Sequence, residues 1–205
     1  MATDWTPGES QQILATLIPQ NGRPRNKVAL PPSPRGFLPS GLADFRGFPL
    51  TRATSVHFDS ADFTDARSPR NEYGVDQLVM LTYVKCTGVL FDRAGMFHRI
   101  DGEFDACSFK KIGTSRCAVV GTFRDCDFGG TSFRNAHFGA NFVRCRFHDC
   151  NLTLAGWRSS FDQCEFAGAK IDSLFADIRD VAMSADRVTF AVVGSSVFPG
   201  ETRHY

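Results

Sequence analysis

The chain has 205 residues, enough for one domain with a sizeable core and a tail. Its formal net charge of +1 argues against both a strongly basic nucleic-acid binder and an acidic mimic of nucleic acid. Twenty Phe stand against three Tyr and two Trp, so the aromatic is chosen for buried shape rather than for a wet polar tip.

Eight of the ten Pro lie in the first 49 residues. Residues 1–40 therefore read as an irregular Pro-rich arm with a short helix around Gln11–Leu17, either loose or packed on the body. Arg23, Arg25, Lys27 and Arg35 make it mildly basic. The opening residues lack the basic start and apolar stretch of a secretory signal. No run of about 18 apolar residues follows. The expectation is a cytoplasmic chain, with reduced Cys and no membrane span.

From residue 41 short matches to a five-residue spacing begin, at Phe48-Pro-Leu50, Ala53-Thr-Ser55, Val56-His-Phe58, Ala61-Asp-Phe63 and Ala66-Arg-Ser68. An interruption is expected at about 68–100, with a loop at 68–74 and a strand-like run at Leu78–Val84. Residues 102–176 are regular. Phe104-x-x-Cys107-x-Phe109 recurs at Phe123, Phe142 and Phe161, each 19 residues on. Within one unit the large positions are spaced five, five, five and four, as in Phe123, Phe128, Phe133, Phe138 and then Phe142. A small or apolar residue lies two positions before each.

A period of five fits neither an α-helix at 3.6 nor a plain strand at 2. It fits a chain that turns a corner every five residues, with positions i−2 and i pointing inward. Four sides, numbered here from those ending at Phe104, Phe109, Thr114 and Val119, make a square coil. Coils stacked about 4.8 Å apart give four parallel ladders. The fourth side is one residue short, which predicts a tighter corner there in every coil.

The run Cys126-Asp-Phe-Gly-Gly-Thr-Ser-Phe-Arg-Asn-Ala-His-Phe138 resembles the pentapeptide-repeat family, whose consensus is Ala-(Asp/Asn)-Leu-x-x. The fold this implies is all-β, a right-handed quadrilateral parallel β-helix with an irregular N-terminal arm. A degenerate closing coil is expected over 178–198, and a tail over 199–205.

Chemistry is hard to place on such a body. Cys107, Cys126, Cys145 and Cys164 should stack as a packing ladder, since a metal needs ligands that converge on one point. Cys145-x-x-His148-x-Cys150 has zinc-like spacing, but its His points outward while its Cys point inward. Gly129-Gly130 reads as a corner. No catalytic, cofactor or metal residue is expected. Outward charges pair by column, Asp127 with Arg146 and Glu165, and Asp125 with Arg144. The fourth side carries little charge. Ala118, Val120, His137, Arg158 and Phe175 are the candidate interaction face, covered by a partner, a second copy in a homodimer, or the arm.

The expected function is a non-enzymatic interaction protein acting through its β-helix surface. The resemblance implies a type II topoisomerase such as DNA gyrase as partner, in antibiotic resistance or toxin immunity. Residues 99–180 hold 11 basic and 11 acidic side chains, which speaks against DNA mimicry and direct nucleic-acid binding. The alternatives are an enzyme or small-molecule site at the 64–103 interruption, and a structural scaffold.

Overall fold

The computed structural model describes residues 5–18, 27–69, 77–152, 156–157, 159–170 and 176–179. It is a β-solenoid of about six turns preceded by one helix, α1 (Pro7–Leu17). The strands are β1 (Val28–Ala29), β2 (Ala43–Asp44), β3 (Arg52–Thr54), β4 (Val56–Asp59), β5 (Ala61–Asp62) and β6 (Val79–Thr87). They continue as β7 (Phe97–Asp105), β8 (Thr114–Arg124), β9 (His137–Val143), β10 (Gly156–Trp157), β11 (Ser159–Asp162) and β12 (Ala176–Arg179). Every pairing between these strands is parallel, as expected when each coil stacks on the last. The degenerate closing coil and the tail lie, apart from residues 178–179, outside the described residues.

The ladder on the second side gives the register. Its partners run Ala43 to Ala61, Asp62 to Leu90, then Ser108, Asp127, Arg146 and Glu165. The steps are 18, 28, 18, 19, 19 and 19 residues. The long step holds an insertion between Ala66 and Val79, whose base is drawn together by the Gln77 N–H donating to the Pro69 carbonyl at 3.2 Å. The ladder is back at Val79, paired with Phe97, and Leu90 is in register with Ser108.

The core is built from rings stacked coil on coil. Phe45, Phe63, Phe91, Phe109, Phe128, Phe147 and Phe166 form one column, with centroids 4.8–5.6 Å apart and planes within 18°. Phe104, Phe123, Phe142 and Phe161 form a second at 4.6–5.0 Å. The columns meet edge to face, as between Phe123 and Phe128, so each ring has both favoured aromatic geometries. Small residues at i−2, such as Cys126 and Ala136, leave room for the rings and are fully buried. Thr114 departs from the inward pattern. It is half-buried, and its hydroxyl donates to the Ser132 carbonyl of the next coil.

In the coils after Phe104 and Phe123 three corners are made by a residue in the left-handed region. In the coil after Phe123 these are Asp125, Gly130 and Asn135, with φ of 52°, 70° and 60°. The fourth joint is not the tighter corner that the short spacing suggested. β8 and β9 run straight through it as continuous strands, and along β9 burial alternates from His137 to Val143. The reason is arithmetic: a spacing of four is two strand repeats, so Phe138, Ala140 and Phe142 all point inward with no turn between them. Earlier coils keep a corner there, at Ser55 and Tyr83, both with φ of 55°. The change occurs at the register shift between Leu81 and Val84, where β6 meets β7.

The N-terminal arm closes the first coil. α1 starts at a capping box, with Thr6 Oγ1 accepting from the Glu9 N–H while the Glu9 carboxylate accepts from the Thr6 N–H. The helix therefore begins four residues before the expected Gln11. It buries Ile13 and Leu17 against the core. Trp5 stacks on Phe45 at 5.9 Å and 10°, and its indole N–H donates to the Arg46 carbonyl at 2.9 Å. Trp5 thus adds an eighth ring to the first aromatic column. Further along, β1 pairs with β4, and Lys27 reaches Glu103 at 3.1 Å.

Candidate functional site

The coil geometry decides which outward residues share a face. Ala118 of β8 pairs with His137 of β9, which pairs with Gly156 of β10. Val120 pairs with Gly139. His137 is exposed, while Ala118 and Val120 are half-buried. Arg158 and Phe175 lie outside the described residues. Toward the N-terminus the same columns continue as Arg99 and Asp101, an ion pair closed at 2.8 Å with the Asp101 side chain almost buried. The low-charge patch is therefore bounded by a neutralised pair.

Because the fourth joint is straight, the fourth and first sides form one continuous surface. Thr122, Asn141 and Ser160 extend it in register, and Ser160 Oγ donates to Asn141 Oδ1 at 2.8 Å. Reading the fourth side as a face of its own missed this width.

The other charged columns are occupied with one another. Arg144 makes two hydrogen bonds to Asp125, at 2.7 and 2.6 Å. The guanidinium holds the Asp125 carboxyl below the usual range, and Arg93 does the same for Asp65. Arg146 lies 3.6 Å from Glu165, which also contacts His148 at 2.9 Å, while Asp127 pairs with Lys110 at 3.3 Å.

The thiols face the other way. All seven are free and buried. Sγ atoms of the ladder donate to backbone carbonyls, Cys126 to Arg124 at 3.2 Å and Cys145 to Val143 at 3.4 Å. Burial pushes Cys117 and Cys150 up to about 12. Hydrogen bonds to neighbouring sulfurs, with burial, hold Cys126 and Cys164 above the ordinary thiol range. Cys145 and Cys150 are buried while His148 stays on the surface, so the zinc-like spacing does not converge. Among the described residues no cluster of His, Cys, Asp or Glu is arranged to hold a metal. No helix of the described residues is long and apolar enough to cross a membrane.

The third side is the one that sequence reasoning left unread. Lys111, Arg116, Arg134 and Lys170 are all exposed there, and no ion pair engages them among the described residues. Reading outward residues by column, as was done for the other three sides, would have found them.

No curated protein matches this chain. A family model described as pentapeptide repeats matches residues 122–155, in eight copies. That stretch spans the Phe123 and Phe142 coils, where rings, small residues and left-handed corners recur most regularly. Over these coils the chain is built of pentapeptide repeats.

Proposed function

We propose that this protein is a non-enzymatic interaction module that presents its β-helix surface to a protein partner. One observation carries the reading. The side chains most capable of chemistry, the thiols, are turned into the core as donors to backbone carbonyls, while the outward columns form flat, registered faces. Stacked parallel ladders hold such faces rigid, which keeps the ordering cost of docking low. The continuous surface of the fourth and first sides, from Ala118 and His137 to Thr122 and Asn141, supplies small and uncharged groups over two coils.

The specific partner proposed is a type II topoisomerase, with protection against an antibiotic or toxin as the outcome. Acidic mimicry of DNA is not the route, because Asp125, Asp127 and Glu165 are paired with Arg144, Lys110 and Arg146, and basic and acidic residues balance over 99–180. A DNA gyrase supercoiling assay, with and without a gyrase poison, tests it. Protection that disappears on His137→Glu supports docking through this surface. Unchanged supercoiling and poisoning at micromolar protein removes topoisomerase as the partner. Affinity capture from the native host, compared between wild type and His137→Glu, then tests the broader reading.

A further inference from the structure

The third side of the solenoid differs from the others in charge. At its first corner stands Lys111, and at its second stand Arg116 and, one coil on, Arg134 beside the next corner residue Asn135. The floor between them is uncharged, with Gly113, Ser132 and Asn151, and Ser132, Asn151 and Lys170 follow one another in register. Lys170 therefore closes the C-terminal end of the strip. Its four cations are exposed and make no ion pair among the described residues, unlike Lys110 and Arg144 on neighbouring columns and Arg93, one coil before Lys111 on the same corner column. Among the described residues the acids on the Lys111 corner column are Asp65, which is paired with Arg93, and Asp149, two coils beyond Lys111, where its carboxylate leans over Gly168.

We propose that this strip is a docking site for an extended acidic segment of a protein partner. The proposal deepens the interaction reading above and rests on it. An extended peptide directs alternate side chains to opposite flanks. Cations on both edges of a neutral floor match carboxylates projecting both ways. The two edges are one five-residue side apart, no more than about 17 Å at full extension, which is within reach of Arg and Lys side chains from both flanks. Nucleic acid fits less well. A duplex carries one charge per about 1.7 Å of axis, far denser than four cations spread over several coils. Single strands gain affinity by stacking bases on aromatic rings, and the exposed aromatics among the described residues, Phe37 and Tyr83, lie on other parts of the molecule.

The test uses the full chain and a fluorescein-labelled oligoglutamate, followed by fluorescence polarisation at low salt. Oligothymidylate of equal charge and oligolysine serve as comparisons. Binding of oligoglutamate is expected, with the double variant Arg116→Glu/Arg134→Glu weakening it by about tenfold or more. Lys85→Glu/Arg124→Glu, which reverses two exposed charges on the first side, should leave it unchanged. Asp149→Asn should strengthen it. Added salt should abolish it, since the screening length falls to about 3 Å at 1 M. Absence of oligoglutamate binding, equal loss in the first-side variant, or tighter binding of oligothymidylate would overturn the proposal. If Arg116→Glu/Arg134→Glu misfolds by circular dichroism, Lys111→Glu/Lys170→Glu replaces it with the same expectation. Oligoglutamate failure with capture of a partner intact sinks this strip alone. Loss of capture in every surface variant and in wild type sinks the interaction reading.

Discussion

Gly121 lies so close over Gly102 that a Cβ placed on it would stand 2.0 Å from the Gly102 carbonyl oxygen. Gly102 stands in the same relation to the Val84 carbonyl oxygen, at 2.1 Å. The obstacle in both cases is backbone, which cannot swing aside as a side chain can. Gly121 also has a φ of 109°, a conformation L-residues rarely adopt. These two glycines sit where the fourth corner of the early coils gives way to the straight strand of the later ones. One coil further on, the same column holds Ala140 and then Ser159, so the constraint is local to the change.

Gly121→Ala should therefore be severely destabilising, by about 3 kcal/mol or more from overpacking and backbone strain combined. Gly139→Ala is the matched control. It lies in the adjacent coil with open space around it and no positive φ, and should be neutral or stabilising by about 0.5–1 kcal/mol. Thermal melts of the two variants check this. Equal melting temperatures would mean that the close backbone approach is absent.

The aromatic column predicts the role of the arm. Trp5 is the terminal ring of a stack that otherwise begins at Phe45, and Arg35 lies 4.0 Å over its face. Trp5→Ala removes a stacked and an edge contact, with Phe45 and Phe48, each of a kind worth about 0.5–1.5 kcal/mol beyond buried area. The variant should melt earlier, and the exposed end of the solenoid should promote association, because uncovered strand edges pair with other chains. Size-exclusion chromatography of Trp5→Ala against wild type reads the second effect. A wild-type melt and elution would show that the arm does not cap the coil.

How much of this was legible depended on whether the signal was local. The inward set from Cys126 to Leu152 follows from counting fives, because each position is fixed by its neighbours along the chain. The straight fourth joint was present in the same numbers, since four is twice two. It was missed because every side was assumed to end in a corner. Thr6-Pro-Gly-Glu9 is a capping box that places the start of α1, yet the stacking of Trp5 on Phe45 joins residues 40 apart and no period announces it. Arg158 and Phe175 of the candidate face lie outside the described residues, and the third-side cations were legible but unread.

Thiol accessibility gives a third prediction. All seven Cys are buried. Burial pushes Cys117 and Cys150 up to about 12, while hydrogen bonds from neighbouring thiols hold Cys107 and Cys145 below the ordinary thiol range. Protection of the ladder therefore rests on burial rather than on protonation. An aromatic disulfide reagent at about pH 8 should release almost no chromophore from the native chain, since every thiol is turned into the core where the reagent cannot reach it. In denaturant it should titrate seven thiols. Rapid reaction of one or two thiols in the native state would place them at the surface and reopen the ladder as a reactive site.

Acid should unfold the solenoid through its paired carboxylates. Asp44, Asp65 and Asp125 are held below the ordinary carboxyl range, in each case chiefly by hydrogen bonds from an Arg: Arg46, Arg93 and Arg144. A carboxylate with a depressed folded pKa contributes stability that is fully present above the unfolded value of about 3.9. That contribution is lost as pH falls through the folded value, when protonation breaks the pair. Stability should accordingly be level from neutrality down to about pH 5, then fall steeply below about pH 4. Salt should flatten the fall, because the Asp65 and Asp125 pairs are exposed at the surface, where added ions screen them. Asp125→Asn removes one pair and should lower stability at neutral pH while leaving the strongly acid state unchanged, so the two curves converge as pH falls. Urea midpoints measured across this range read the difference directly. Parallel curves, offset equally at every pH, would mean that the Asp125 charge does not contribute and that the Arg144 contact is one of shape alone.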